Sequence, residues 1–332
     1  MFSYLDRWRR SVGKLQESRL FLLDWGDAIF DNCVATLSDF RPHVVVCSLL
    51  TTLYLGTIVR EKLGTALCCL NGSYYFGPGS RRAFDQDFAV ADDPFVSEAI
   101  ALFGQVDHAI HGTDAQFDPP PDPKPDNHQW VGPLLWEPRQ DRPQYLDESD
   151  DPWALVSLSL ARQSGEQRLA QIAMNVLSDY PVRTLLTLGH ARVQDEFESI
   201  PANARIEQYV PHSEVLKQAA LSINHAGHGI VPKSLYCVPM ALVPMGRDQP
   251  GVAARAEALG FASVAHRDHL PEDAKRSAIS EVPQNPKYMD NSRSHDERLQ
   301  ARNSVADACA LIEEIQQAMP TCGKKLETVD RL

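Results

Sequence analysis

Apolar runs and helix-like runs alternate through residues 209–260, and polar residues collect where each apolar run ends. Residues 221–224 are followed by the small-residue turn 225–229, and residues 240–245 are followed by the polar stretch 246–250. This alternation predicts two parallel strands, each of which leads into a helix. Because ligands bind beyond the carboxyl ends of strands in an open parallel sheet, we expect both junctions to lie at one binding edge.

The same alternation continues on both sides of this stretch. Apolar runs at 43–50 and 65–70 enclose a helix-like run at 54–63, which predicts one βαβ unit. Further strands are predicted at 108–110, 129–131, 153–160, 184–188 and 205–210, further helices at 19–37, 96–103, 166–179, 250–259, 271–280 and 296–318, and an irregular segment at 76–93. The pattern therefore predicts an α/β protein built on parallel sheets.

Two polar or proline-rich segments interrupt this pattern. The segment 119–125 is compatible with an ordered loop or with a polyproline ligand, and we favour the loop. Residues 137–151 are dense in Pro, Asp, Glu and Arg, which is typical of a linker. We therefore predict a first domain over 1–138, a linker over 139–151 and a second domain over 152–332.

Length, charge and cysteine use narrow the class of protein. The 332 residues suffice for about two domains, and the net charge of −12 argues against a nucleic-acid-binding surface. No apolar run reaches the roughly 18 residues of a membrane span, and no secretory signal follows the first arginines. The seven cysteines are odd in number and lack metal-ligand spacing, which indicates reduced, buried thiols in a cytoplasmic protein without a metal site.

The two junctions carry residues suited to a phosphate and to sugar hydroxyls. Glycines in the turn 225–229 let a ligand approach the backbone at a helix start, which favours an anion such as phosphate, and His225 and His228 offer hydrogen-bond donors. Asp248 and Gln249 offer acceptors and a donor for sugar hydroxyls. The alternatives are a surface turn in the first case and, in the second, a plain helix start with Asp248 as the cap.

Four short motifs occur in order over about fifty residues: VPH at 210–212, HAGHG at 225–229, VP at 238–239 and DQ at 248–249. This order resembles the donor-binding signature of the UDP-glycosyltransferases, specifically the macrolide-type and antibiotic-type members of glycosyltransferase family 1. The resemblance implies a GT-B architecture, with two Rossmann-like domains of which the N-terminal one is truncated, and a role in secondary metabolism.

The resemblance also assigns roles to individual residues. It implies that Tyr209 lies against the uracil ring and that the Val210 backbone reads the edge of that ring. The implied nucleotide-binding set is Ser159, Tyr209, Val210, His212, His225, Gly227, His228, Gly229 and Ile230, and the implied sugar-binding pair is Asp248 and Gln249. Three departures stand out: Ile230 replaces the usual Thr or Ser, Tyr236-Cys237 stands where a glycine precedes Val-Pro, and Lys233 stands where plant members carry a ribose-binding Glu.

The implied reaction moves a hexose from a UDP- or TDP-sugar, as co-substrate and without a cofactor, to a hydroxyl of a small hydrophobic acceptor. The resembling enzymes carry a histidine base after the first strand of the N-terminal domain, but the run 44–46 resembles the fourth strand, so no base is assigned. His43, His108 and His111 lie at ends of apolar runs, where a capped or partly buried imidazole is the default. A non-catalytic nucleotide-sugar-binding descendant therefore remains the alternative.

An NAD-dependent oxidoreductase is a third reading, but it requires a Gly-x-Gly-x-x-Gly turn that residues 225–229 do not supply. If the opening strands are absent, a sheet edge is exposed, and we expect a helix, a partner copy or the rest of a longer chain to cover it. At the other end, Val305, Cys309 and Ile312 keep helical spacing and predict a packing face. In the resembling family this last helix crosses back onto the first domain.

Overall fold

The computed structural model describes residues 31–48, 52–75, 101–159, 165–189, 193–235, 238–246, 248–265 and 272–319. Two separate parallel sheets, one of four strands and one of six, form its framework. This arrangement confirms the predicted α/β class with two Rossmann-like sheets. The boundaries at 139–151 stay a prediction.

The first sheet is built from residues 44–130. Its strands β1 (Val44–Ser48), β2 (Ala66–Asn71), β3 (His108–His111) and β4 (His128–Trp130) lie side by side in chain order, and every pairing is parallel. Helix α1 (Leu53–Leu63) connects β1 to β2, which confirms the predicted βαβ unit. Gly64 ends this helix in the left-handed region with φ of 67°, and its N–H donates to the Arg60 carbonyl.

The second sheet has the strand order β10-β9-β8-β5-β6-β7. Its strands are β5 (Trp153–Ser157), β6 (Arg183–Thr187), β7 (Ala204–Glu207), β8 (Ala219–Asn224), β9 (Met240–Leu242) and β10 (Ala262–Val264), and its helices are α2 (Glu166–Leu177), α3 (His212–Leu216), α4 (Val231–Leu235), α5 (Gln249–Ala258) and α6 (Glu272–Gln284). Strand β5 lies between β6, which follows it in the chain, and β8. The connections therefore leave in opposite directions here, and a crevice opens at this switch point.

The core of the second sheet follows from its sequence pattern. All five residues of β5 are buried, as expected for a central strand covered on both faces. Helix α2 packs Leu169, Ile172 and Ala173 against the sheet, and these residues are at most 1% exposed. The predicted helix at 166–179 is confirmed.

The last helical region differs from the prediction. A single helix is predicted over 296–318, but the structure has α7 (Pro286–Gln300) and α8 (Ser304–Ala318). The helix is interrupted between them, and α8 begins anew because the Asn303 side chain caps it by accepting a hydrogen bond from the Ala306 N–H at 3.1 Å.

Helix α8 lies on the first sheet, as the resemblance implies. It packs there through Ala308 and Ile315, which share a cluster with residues of β2 and β3. The helix packs through one face, as predicted, but that face is rotated about the helix axis from the predicted one. Val305 and Cys309 are exposed, and Ile312 is only half-buried.

Other predicted features have mixed outcomes. The segment 119–125 forms neither helix nor strand and follows the buried Phe117 and Asp118, so the ordered loop is confirmed. Among the described cysteines, those of β1 and β2 are buried and unbridged. The predicted segments 19–30, 76–93 and 96–100, with Cys237 and Cys322, lie outside the described residues.

Strand β1 is an outer strand of the first sheet as described, and its Val46 is 43% exposed. A partner copy over this edge stays a prediction. None of the helices in the described ranges is long and apolar enough to cross a membrane.

Candidate functional site

The switch point of the second sheet brings together two of the predicted site residues. Ser159 follows β5 and His225 follows β8, and both are 8% exposed. The Ser159 N–H donates to Glu166 Oε1 at 2.8 Å, and His225 Nδ1 lies 3.7 Å from the same oxygen. Glu166 is fully buried at the start of α2. Sequence reasoning missed this residue, although a carboxylate in the first turn of a helix after a strand is a recognisable signal.

The turn 225–229 is held in shape by buried polar contacts. Asn224 accepts a hydrogen bond from the Ala226 N–H at 2.9 Å and so stabilises the positive φ of 63° at Ala226. A Cβ atom added at Gly227 would lie 2.5 Å from His225 Nε2. Only glycine therefore fits at this position while the imidazole keeps its place, and the Nε2 atom faces the turn.

Backbone donors in the turn are available to a ligand. Among the described residues, the N–H groups of Gly227, His228 and Gly229 donate to no protein group. Successive free N–H groups at the entry to a helix form a concavity suited to an anion. Gly229 is exposed, so this concavity is open to solvent.

Ile230 differs from its predicted place in this set. Its N–H donates to the Gly227 carbonyl at 3.1 Å, and its side chain is 5% exposed within an apolar cluster that includes Val210 and Val238. The Ile230 N–H, which is expected to donate to a phosphate, therefore donates within the turn instead. The apolar side chain is explained by this packing.

His228 is neutral at physiological pH. Burial lowers its pKa to about 4, against the opposing charge of Asp248, and Arg255 lowers it further. Its Nε2 atom is buried and has no hydrogen-bond partner in the described part of the chain. With this lowered pKa, His228 contacts a ligand through a neutral ring.

The residues predicted to face the base lie beyond β7. Val210 is 3% exposed in the core, and Tyr209 is half-buried. His212 begins α3, where its Nε2 lies 3.0 Å from Thr187 Oγ1 and burial lowers its pKa to about 4. Its backbone N–H donates to Glu137 Oε1 at 3.0 Å. His212 therefore has a structural role in this loop.

Lys233, which stands where plant members carry a ribose-binding carboxylate, is also engaged. Its Nζ lies 2.7 Å from Glu137 Oε1, and both side chains are mostly buried. The carboxylate of Glu137 thus ties α3 and α4 together from the segment that precedes the second sheet.

Asp248 and Gln249 follow β9 on the same edge, as predicted, but their side chains have different hydrogen-bond partners. Gln249 is 2% exposed, and its Oε1 accepts a hydrogen bond from the Met245 N–H at 2.7 Å. Asp248 is half-buried and does not cap α5 with its side chain, so the alternative of a plain cap is wrong. Its Oδ2 instead accepts a hydrogen bond from Ser73 Oγ, in the first sheet's connections, at 2.7 Å.

The two sheets meet beside Asp248 through buried contacts. The Arg255 guanidinium lies 3.9 Å from the ring centre of Tyr74, which follows β2, and its Nε donates to Asp118 Oδ1 at 2.9 Å. Asp118 Oδ2 also accepts the Tyr75 N–H at 2.6 Å. The charged side chains are 1% and 3% exposed. The first sheet's loops therefore form one wall of the crevice.

Two histidines of the first sheet, His111 and His128, are packed in its core. His111 Nδ1 lies 3.1 Å from Asn71 Nδ2, its Nε2 lies 3.1 Å from His128 Nδ1, and its ring stacks on Trp130 at 4.0 Å. Burial lowers the pKa of His111 to about 3 and that of His128 to about 4. His111 is fully buried, so it cannot reach an acceptor as a base.

Residues 172–315 match the family "Erythromycin biosynthesis protein CIII-like, C-terminal domain". The chain is 27% identical over 214 residues to the uncharacterized UDP-glucosyltransferase YojK of Bacillus subtilis (strain 168), covering 64% of this chain and 53% of that protein. It is 27% identical over 206 residues to 4'-demethylrebeccamycin synthase of Lentzea aerocolonigenes, covering 61% and 48%. The chain thus spans about half the length of these curated relatives.

Solved structures share the fold over most of the chain. The glycotransferase of kitacinnamycin is similar with a TM-score of 0.72 and 19% identity, covering 92% of this chain and 84% of that one. The glycosyltransferase VinC in complex with DTDP is similar with a TM-score of 0.69 and 18% identity, covering 95% and 81%. Family match, relatives and fold agree with the motifs at 210–249. Residues 172–315 therefore match an Erythromycin biosynthesis protein CIII-like C-terminal domain, and the chain is similar in sequence to glycosyltransferases and shares their GT-B fold.

Proposed function

We propose that the chain transfers a hexose from a UDP- or TDP-sugar to a hydroxyl of a small hydrophobic acceptor. The observation that carries this proposal is the turn 225–229 at the switch point, with three available N–H groups and no Cβ at Gly227. A diphosphate carries negative charge and many acceptor oxygens, which such a turn accommodates. The relative named as a UDP-glucosyltransferase and the similar structure with DTDP support this class of donor.

The side chains around the turn support the same ligand. Glu166 holds the Ser159 backbone and lies beside His225, whose Nε2 faces Gly227. His225 thereby offers a ring nitrogen beside Gly227, the first of the three residues with available N–H groups. In this proposal the phosphate contacts come from His225 and the backbone of residues 227–229, and Ile230 is not among them.

Residues 1–138, 139–151 and 152–332 serve in this proposal as the acceptor-side domain, the linker and the donor-side domain. We place the reaction in the cytoplasm, because the buried, unbridged thiols of β1 and β2 suit a reducing compartment. The donor is a co-substrate, so the proposed reaction needs no resident cofactor.

A second candidate function, binding of a nucleotide sugar without transfer, is favoured by one observation. An alcohol becomes an effective nucleophile when a base removes its proton. In the described ranges, His111 and His128 are buried against each other, and His212 is held by Thr187. We therefore assign no residue of these ranges to the role of the base.

Titration calorimetry with UDP and TDP, followed by a turnover assay, separates these functions. Binding together with hexose transfer from UDP-glucose or TDP-glucose to a phenolic or macrolide panel supports the transferase. Binding without hydrolysis or transfer supports the binding protein. Absence of affinity for both nucleoside diphosphates overturns both proposals.

A further inference from the structure

The connection that follows β2, residues 71–75, is fixed within the first domain by one buried amide. Asn71 is 1% exposed, its Oδ1 accepts the Ser73 N–H at 3.1 Å, and its Nδ2 donates to the Tyr74 carbonyl at 3.0 Å. These two hydrogen bonds close the connection on itself, as Asn side chains do in turns. The backbone on both sides of the Ser73 side chain is thus set by the first domain.

The same connection is anchored in the second domain by Tyr74. This side chain is fully buried in a cluster with Ala226, which lies in the glycine turn, and Val231, which follows the turn. A Cβ atom added at Gly251 would lie 2.4 Å from the Tyr74 ring, and Arg255 stacks on the same ring. The first domain therefore delivers Ser73 to a fixed position beside the second domain.

At that position Ser73 contacts Asp248, the residue that immediately precedes α5. Its Oγ donates to Asp248 Oδ2 at 2.7 Å, across 175 residues of sequence. A hydroxyl that donates to a carboxylate makes a charge-assisted bond, which is stronger and more directional than a neutral one. Among the described residues no group donates to Asp248 Oδ1. Asp248 Oδ2 is therefore held by Ser73, and Asp248 Oδ1 can accept a hydrogen bond from a ligand.

We propose that Ser73 is a positioning residue for the donor sugar. It holds the Asp248 carboxylate in one orientation so that Oδ1 accepts a hydrogen bond from a hydroxyl of the hexose. This inference rests on the proposed function, because it requires a nucleotide sugar in the crevice. It makes recognition of the sugar a property of both domains, while recognition of the diphosphate belongs to the second domain alone.

The two parts of the donor give a direct test with Ser73→Ala. Dissociation constants are measured by titration calorimetry for UDP, TDP, UDP-glucose and TDP-glucose. We expect the constants of the sugar conjugates to rise about tenfold, because a hydrogen bond to a charged group is lost, and those of UDP and TDP to stay within about twofold. Ser73→Thr, which keeps the hydroxyl, is expected to restore affinity for the conjugates.

Ser149→Ala is the matched control, because Ser149 makes the same kind of bond to Asp151 at 2.9 Å on an exposed surface. It should leave all four constants unchanged. Equal weakening of free nucleotides and conjugates in Ser73→Ala overturns the inference, since that result reports only loosened domains. Unchanged affinity for the conjugates overturns it as well. If the unsubstituted protein binds no nucleotide, the proposed function fails first and the inference falls with it.

Discussion

The buried ion pair between Asp118 and Arg255 joins the two sheets, and Asp118→Asn tests it by a change of one atom. The substitution keeps one acceptor oxygen, so either the Arg255 Nε or the Tyr75 N–H faces the donor NH2 group, and it removes the negative charge. The guanidinium then stays 3% exposed without a counter-charge. We expect the interface between the sheets to be weakened.

The magnitude follows from burial and distance. At 2.9 Å the attraction between the two charges is about 6 kcal/mol for an effective dielectric constant near 20, before desolvation is subtracted. Burial raises the pKa of Asp118 and outweighs the opposing effect of Arg255, so the desolvation of the carboxylate is not fully repaid. The main cost of the substitution is therefore the unpaired guanidinium. Removal of one partner of a buried pair costs about 3–5 kcal/mol, and the remaining amide favours the lower end.

Urea unfolding followed by circular dichroism measures this cost, and small-angle scattering reports whether the sheets separate. We expect the free energy of unfolding to fall by about 3 kcal/mol and the radius of gyration to increase. Glu272→Gln is the control, because its ion pair with Arg168 is exposed and should contribute less than about 1 kcal/mol. A loss below about 1 kcal/mol in Asp118→Asn, with unchanged scattering, would refute the reasoning.

Two further predictions concern the glycine turn and the buried histidines. Gly227→Ala forces His225 Nε2 to move from 2.5 Å, so we expect calorimetry to show lost UDP affinity and urea unfolding to show about 1–3 kcal/mol lost stability. Gly229→Ala meets no atom within 4 Å and should stay within about 0.5 kcal/mol, and equal stability of both variants would contradict the geometry. Since His111 and His128 have folded pKa values of about 3 and 4 against 6.5, the unfolded chain binds more protons below pH 6.5. The contribution of the two neutral histidines to stability is therefore fully present above pH 6.5 and is lost as the pH falls toward 4, by about 3 kcal/mol for each histidine. His128→Gln should roughly halve that loss in urea titrations at pH 7 and 4.

The second sheet is predictable from local pattern because its strands are continuous apolar runs bounded by turns. Residues 221–224 and 240–242 form the expected strands, and the predicted site residues 225 and 248 follow them at the same edge. Helix α7 is missed because most of its positions are polar and only Ser292, His295 and Leu299 are buried, so its pattern resembles a solvated segment.

The details of the site that sequence could not supply all depend on contacts between distant residues. Nothing local in Gln249 shows that its oxygen accepts a backbone N–H of the preceding turn. Nothing local in Ser73 or Asp118 points to partners 175 and 137 residues away. Such pairs are created by the docking of two sheets, and a pattern read along the chain carries no information on docking.

The fit between the Tyr74 ring and the bare backbone at Gly251 has a consequence for hybrids of this protein with its relatives. Tyr74 comes from the connections of the first sheet, and Gly251 lies in α5 of the second. The shape of each contact surface therefore depends on a residue of the other sheet's domain. A graft that brings alanine at 251 while retaining this tyrosine places a methyl group 2.4 Å from the ring and holds the halves apart. Hybrids that exchange the second domain among such proteins should therefore fold when Tyr74 and Gly251 are both retained.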